Sequence, residues 1–369
     1  MKLEDVCKVF TDGDWIESKD QSDNGIRLIQ TGNIGEGVYL EKSERAKYVS
    51  QDTFDALKCT EIYSGDVLVS RLPEPVGRAC IIPPKSERMI TAVDCTICRP
   101  NEEIVLKEYL CYFMQSDVYY NRLLNNVTGT TRKRISRKNL GNVEINVPDI
   151  DTQRAIIAKL DIISNIIDER KRELEQLDVL IKARFVELFG RPEDKKYPSV
   201  RLGDYAKLQG GYAFKSKDFV DEGVPLVQIG NVNKDYLDWD VINAVPEEYI
   251  DKYSEFALSK DDLVMAMTRP IIKSLGSVKI AKVAEDDLPC LLNQRVGRFQ
   301  IKDKIHPVFL EILCKTDDFK DYVERMSGNS LQPNISSKQV EDYIIILPPI
   351  ELQEIFAEFV KQVDKSKVA

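Results

Sequence analysis

The chain has 369 residues, 43% of them hydrophobic, which is enough for two ordinary domains with cores of their own and large for one packed unit. No apolar run reaches the roughly 18 residues that span a bilayer, and Met1-Lys2-Leu3-Glu4-Asp5 lacks the charged-then-apolar order of a signal peptide, so no membrane association and a cytoplasmic location are expected. The net charge of −9 counts against a nucleic-acid binder when read over the whole chain, but what matters is where the positive charge clusters.

In chain order, Trp15 and Lys19 mark an early loop that suits core packing as well as a contact. Asp66-Val67-Leu68-Val69-Ser70 is a β-branched run that reads as a strand. Arg71 and Arg78 flank the turn Leu72 to Gly77, a connection between strands where binding residues concentrate, with surface salt bridging as the alternative. Cys95-Thr96-Ile97-Cys98 is a lone C-x-x-C in a strand-like setting, where the thiols point to opposite faces and make a poor metal site. The eight cysteines are scattered, as reduced thiols are, and no disulfide is expected. Leu106 to Leu124 carries apolar residues at helical spacing and reads as one helix.

After that helix, Arg132-Lys133-Arg134-Ile135-Ser136-Arg137-Lys138 holds five basic residues in seven. With Thr130, Thr131 and Ser136 beside them, these side chains offer donors to phosphates or base edges; the alternative is a solvated loop. From about Thr152 to Phe189 the chain is free of Pro and Gly and rich in Ile, Leu, Glu, Lys and Arg, which predicts one long helix. Ile156, Leu160, Ile163, Ile167, Arg170, Leu174, Leu177 and Ile181 follow coiled-coil spacing with one polar interruption, so the helix needs a partner helix. At 1.5 Å per residue it runs roughly 55 Å. Gly190-Arg191-Pro192 ends it, and Glu193 to Pro198 form a polar linker.

The sequence then repeats itself at an offset of about 198 to 200 residues, the mark of a duplicated domain. Gly25 to Ile34 (GIRLIQTGNI) matches Gly223 to Val232 (GVPLVQIGNV); Gly129 to Ser136 aligns with Gly328 to Ser336 after one insertion; Pro148, Ile150 and Gln153 align with Pro348, Ile350 and Gln353. In the second copy Phe214, Lys215 and Lys217 mark the early loop, Ser277 to Ala281 reads as a strand and Val308 to Met326 as a helix. Thr268, Arg269 and Lys273 take the place of the Arg71–Arg78 turn, and Arg295 and Arg298 a further one. The loop opposite the basic cluster carries Asn329, Ser330, Gln332 and Asn334, with Lys338 just beyond. Arg pairs with guanine and Asn or Gln with adenine, so both loops can read bases by different means. Each copy is mixed α and β: 1–150 and 197–347 as domains, 151–190 as the long helix, and 348–369 as a second helix about half its length.

Leu202-Gly203-Asp204, Gly211 to Phe219, Val227 to Val232, Gln332-Pro333-Asn334-Ile335-Ser336 and Leu347 to Gln353, with its partner Val147 to Gln153, resemble the signatures of type I restriction-modification specificity subunits, in that family's order of domain, helix, domain, helix. The resemblance implies an α+β fold of two target recognition domains held apart by antiparallel coiled-coil helices in a pseudo-twofold arrangement. It also implies sequence-specific binding of double-stranded DNA, each domain reading half of a split target, with methylation and restriction subunits as partners. The chain itself would carry no cofactor; S-adenosylmethionine, ATP and Mg would belong to the partners. The C-terminal helix departs from the family pattern in being short, which leaves part of the apolar seam unpaired and open to self-association.

No nucleotide-binding loop, nucleophile elbow or H-E-x-x-H occurs, and the only histidine, His306, has no Cys or Asp constellation, so an enzyme is not expected. The competing readings are a fused methyltransferase or nuclease, for which the chain is too short, and a coiled-coil scaffold or truncated variant with impaired DNA recognition.

Overall fold

The computed structural model describes residues 1–129, 132–191, 194, 196–328 and 330–368, and the chain gathers into two compact units, Met1–Glu169 and Arg170–Ala369. In the first, strands β1 (Cys7–Asp12), β2 (Ile26–Ile29), β3 (Lys47–Val49), β4 (Glu61–Ile62), β5 (Val67–Ser70), β6 (Ala79–Ile81), β7 (Met89–Thr91) and β8 (Cys95–Pro100) form sheets of order β1-β8-β5-β6 and β3-β2-β7-β4, with helix α1 (Gln51–Leu57) after β3. The run Val67-Leu68-Val69 is apolar throughout because both faces of β5 are covered. Val67 and Val69 enter a core shared with helices, and Leu68 enters the core between the sheets with Ile29, Cys80 and Ile97. Cys95 and Cys98 therefore stand in different cores.

The segment Leu106–Leu124 is two helices, α2 (Lys107–Phe113) and α3 (Asp117–Leu124), and not the single one its spacing predicts. Apolar periodicity runs through the break, but Ser116 is extended and its hydroxyl accepts the Tyr119 N–H, a cap that starts a new helix. A short helix, α4 (Arg137–Gly141), starts at the Ser136 cap, and α5 (Ile150–Phe189) follows as one helix of 40 residues, ended by Gly190 at φ +77°.

The second unit contains β9 (Ser199–Arg201), α6 (Leu202–Tyr205), β10 (Ala206–Gly210), β11 (Val224–Val227), β12 (Lys234–Asp235), β13 (Ala244–Val245), α7 (Tyr249–Lys252), β14 (Leu263–Ala266), β15 (Ile271–Ile272), β16 (Ser277–Val278), β17 (Ile280–Lys282), β18 (Leu291–Leu292) and β19 (Val296–Ile301). Its sheet order β10-β19-β14-β17 repeats β1-β8-β5-β6, and β13-β11-β18 repeats β3-β2-β7, each with a parallel inner pair. The duplication seen in the sequence is thus a duplication of topology. Ser277–Ala281 is broken at Lys279, whose N–H turns to the Pro270 carbonyl, so the single strand expected there is β16 and β17. Val308–Met326 likewise splits, into α8 (Pro307–Leu313) and α9 (Asp317–Ser327) at the Thr316 cap. The chain continues through α10 (Ser337–Glu341), β20 (Ile344–Ile346) and α11 (Ile350–Val368), a helix of 19 residues.

Within the second unit the last turns of α5 run antiparallel to α11. Asp178 meets Lys367 at 2.9 Å near one end, and Phe185 and Phe189 pack on Phe356 near the other, with Ile181 buried between. Of the predicted seam, Ile156, Leu160 and Leu177 are half-buried, whereas Ile163, Ile167 and Leu174 are exposed, so part of the seam is unpaired within the chain's described residues. Ile162 and Ile166 widen this exposed apolar stretch. Among the described residues no helix is long and apolar enough to cross a membrane.

Candidate nucleic-acid interface

In the second unit three connections meet at one end of the central sheet: the turn after β14, the turn before β19 and the loop between α9 and α10. Backbone hydrogen bonds tie them together. Met267 N–H donates to the Arg295 carbonyl (2.8 Å), Ile335 N–H to Met267 (2.8 Å) and Arg269 N–H to Pro333 (2.8 Å). Ile335 is buried and Ser336 caps α10 through the Gln339 N–H, which explains the Ile-Ser pair present in both copies: it nails one end of the loop to the core and leaves the residues before it displayed. Gly211 completes the frame, because a Cβ there would stand 2.3 Å from the Asn293 carbonyl oxygen.

On this frame Arg269, Lys273, Arg295, Gln332, Asn334 and Lys338 are exposed or half-exposed. Arg269 and Arg295 have φ of +49° and +70°, a region non-glycine residues enter at a cost and in which functional residues cluster. Burial, followed by the charge of Arg269, holds the Lys279 ammonium below the usual lysine range. Thr268 departs from the surface position that its sequence neighbours suggest. It is 4% exposed, and its hydroxyl accepts from Arg295 Nη1 (3.3 Å) and donates to Asn334 Oδ1 (2.7 Å).

The first unit builds the same frame. Arg71 N–H donates to the Asp94 carbonyl, Ile135 N–H donates to Arg71, Ile135 is buried and Ser136 caps α4. Arg132, Lys133, Arg134, Arg137 and Lys138 are all exposed there. Lys133 pairs with Glu74 at 2.6 Å and Arg137 lies 4.0 Å from Asp12, while Arg132, Arg134 and Lys138 have no ion-pair partner among the described residues. Two expected contacts are corrected. Arg71 is buried, with Nη1 on the Ile135 carbonyl, Nη2 on Val93 and Nε 3.2 Å from the Asp12 carboxylate. Arg78 donates to the carbonyls of Ile34, Thr31, Pro73 and Pro75. Both guanidiniums tie together loops that are distant in sequence. Thr130, Thr131 and Asn329 lie outside the described residues, as does part of the Glu193–Pro198 linker.

Arg298 is also structural. It binds Asp262 at 3.2 Å, and its counterpart Arg99 binds Asp66 at 2.8 Å. Two displayed residues are not among the expected contacts. Tyr212 is 39% exposed beside the Arg295 turn, its carbonyl accepting the Gln294 N–H and its ring 4.5 Å from that of Tyr253. Leu331, 99% exposed in the α9–α10 loop, is an apolar tip among polar side chains. Tyr212 is legible within Gly211-Tyr212-Ala213-Phe214, whereas a lone leucine among polar residues gives no signal.

Two copies of one mixed α/β domain, each setting its own polar side chains on a shared loop frame and each running into a helix, define a tandem-repeat protein. A sequence profile described as the type I restriction modification DNA specificity domain matches residues 1–178 and again 193–369, and the chain belongs to that family. It is 30% identical over 259 residues to the type I restriction enzyme MjaVIII specificity subunit of Methanocaldococcus jannaschii, an alignment spanning 66% of this chain and 60% of that relative. It is 32% identical over 160 residues to the EcoAI specificity subunit of Escherichia coli, across 43% of this chain and 27% of the relative. The chain thus spans less than two thirds of either relative. Among solved structures, a chain from work on complex assembly and conformational transition of the type I R-M system superposes with a TM-score of 0.53 at 18% identity, covering 100% of this chain and 90% of that one, and shares the fold.

Proposed function

We propose that the chain is the DNA-reading, non-catalytic subunit of a type I restriction-modification complex, each domain reading one half of a bipartite target while the helices space the halves and carry methylation subunits. The observation that supports it best is the repeated three-loop frame bearing different side chains: a basic set in the first unit, amides with two arginines in the second. A constant frame with variable tips is what two unlike half-sites require. The first loop suits phosphates and guanine, and its cations explain how a chain of charge −9 engages a polyanion.

The test is binding of the full chain, assembled with its methylation subunits, to a duplex selected from a randomised-core library. Reversing Arg132, Lys133 and Arg134 to Glu should weaken binding mainly at one half-site and lower the salt slope by about 0.9 for each phosphate no longer neutralised. Unchanged affinity and slope would sink the assignment of this loop.

The exposed stretch Ile162, Ile163, Ile166 and Ile167 favours a second role, association through the helix, either with another copy or with a partner helix. Light scattering on the chain and on a variant with polar residues at Ile163, Ile167 and Leu174 separates the cases. An oligomer in the first and a monomer in the second supports self-association; monomers in both rule it out.

A further inference from the structure

Thr268 is in the wrong place to touch DNA and in a telling place to control what does. Its side chain is buried, yet both its hydrogen bonds run outward to residues on two different loops: Arg295 Nη1 donates to it at 3.3 Å, and it donates to Asn334 Oδ1 at 2.7 Å. The direction of this relay fixes what each end can offer. Asn334 turns its oxygen toward Thr268, so the group its amide turns away from that side chain is the Nδ2 donor. Arg295 has one nitrogen held and its other N–H groups without a protein acceptor among the described residues, on a backbone kept at φ +70°.

We propose that Thr268 is a positioning residue that joins Arg295 and Asn334 into one donor-only reading edge, matched to a guanine in the half-site of the second domain. Guanine alone among the bases presents two acceptors, N7 and O6, and no donor on its major-groove edge. An asparagine free to turn would pair with adenine by giving a donor and an acceptor side by side; here the oxygen is held toward Thr268 and away from the donor-presenting edge, which turns the expectation for Asn334 from adenine to guanine. In the first domain Arg71 makes the backbone bonds that Met267 makes here, so the position matching Thr268 is the buried Leu72, which has no hydroxyl, and this relay belongs to the second domain.

The inference rests on the DNA-reading proposal, and the experiment separates the two. The full chain with its methylation subunits is measured against its selected duplex and against duplexes with each base pair replaced in turn. Wild type is compared with Thr268→Val, Thr268→Ser, Arg295→Ala and Asn334→Ala. Thr268→Val, Arg295→Ala and Asn334→Ala should each lose about tenfold discrimination at the same G·C pair, with the salt slope unchanged, and Thr268→Ser should retain it. A loss with Arg295→Ala that Thr268→Val does not share overturns the positioning role and leaves DNA reading intact. A loss spread evenly over all positions, or failure of Thr268→Ser to retain discrimination, assigns Thr268 to packing alone. An A·T pair at the affected position overturns the guanine assignment. If neither these variants nor the basic-loop reversal alters binding to any duplex, the DNA-reading proposal itself fails.

Discussion

Gln153 and Gln353 sit where each domain hands the chain to a helix, and each buried amide satisfies three backbone groups. Gln153 accepts the Leu106 N–H (2.9 Å) and donates to the carbonyls of Ile104 and Pro148; Gln353 accepts from His306 (2.8 Å) and donates to Lys304 and Pro348. An orphaned buried polar group costs roughly 1–3 kcal/mol, so Gln153→Ala and Gln353→Ala should each destabilise the chain by about 2–4 kcal/mol in urea unfolding. Gln→Glu should be no milder, since a carboxylate cannot donate to two carbonyls. A loss below about 0.5 kcal/mol would show the bonds to be dispensable. In the sequence these glutamines are visible only as a repeated letter, because a one-dimensional pattern records recurrence and not burial. The same gap explains Arg71, Arg78 and Thr268: residue type suggests DNA contact, but whether a guanidinium faces solvent or backbone carbonyls is decided by loops distant in sequence.

At the scale of elements, α5 carries two kinds of apolar surface that look alike in sequence. Phe189 is fully buried and its ring packs on those of Phe185, Phe309 and Phe356 at 4.9–5.3 Å, whereas Ile163 and Ile167 are about half exposed. Phe189→Ala should therefore cost about 3–5 kcal/mol, and Ile163→Gln or Ile167→Gln less than about 0.5 kcal/mol in the isolated chain. Thermal melts of the three variants check this, and a large loss from Ile167→Gln would mean that the exposed stretch is already covered. The helix itself is legible from 38 residues without Pro or Gly, and the structure extends it only to Ile150. The breaks inside 106–124 and 308–326 are not, although Ser116-Asp117 and Thr316-Asp317 supply cap signals, because apolar spacing that continues across a cap outweighs it in any periodicity count.

Over the whole molecule the repeat, the topology class and the order of domains and helices are readable, since duplication preserves spacing even where it changes side chains. The charges are not, because a sum of −9 says nothing of how they are arranged. In the second unit they form a network joining helices to sheet. Half-buried Lys315 lies 2.6 Å from both Asp235 and Glu311; Lys282 also reaches Glu311; Lys234 faces Asp178 and Asp235; and Asp178 and Asp364 hold Lys367. Burial alone would lower the Lys315 pKa, but Glu311 and Asp235 outweigh it and raise it; burial alone would raise that of Asp178, but Lys367, Lys234 and Lys315 hold it down. The raised lysine contributes stability that is complete below its unfolded value near 10.4 and is lost as pH climbs through the folded one. The lowered aspartate contributes stability present above about 3.9 and lost as pH falls through its folded value. The contribution of these two groups should therefore be flat between about pH 5 and 9 and decline on both sides, while His306, whose burial lowers its pKa, withdraws stability from this unit as pH falls below about 6.5. Lys315→Met keeps the stem but leaves Glu311 and Asp235 facing less positive charge, so it should lower the melting temperature at pH 7. That deficit should shrink as pH is brought toward 4, because protonation removes the negative charge the missing ammonium had balanced. A deficit that is independent of pH, or that grows on acidification, would show that Lys315 contributes packing and not charge.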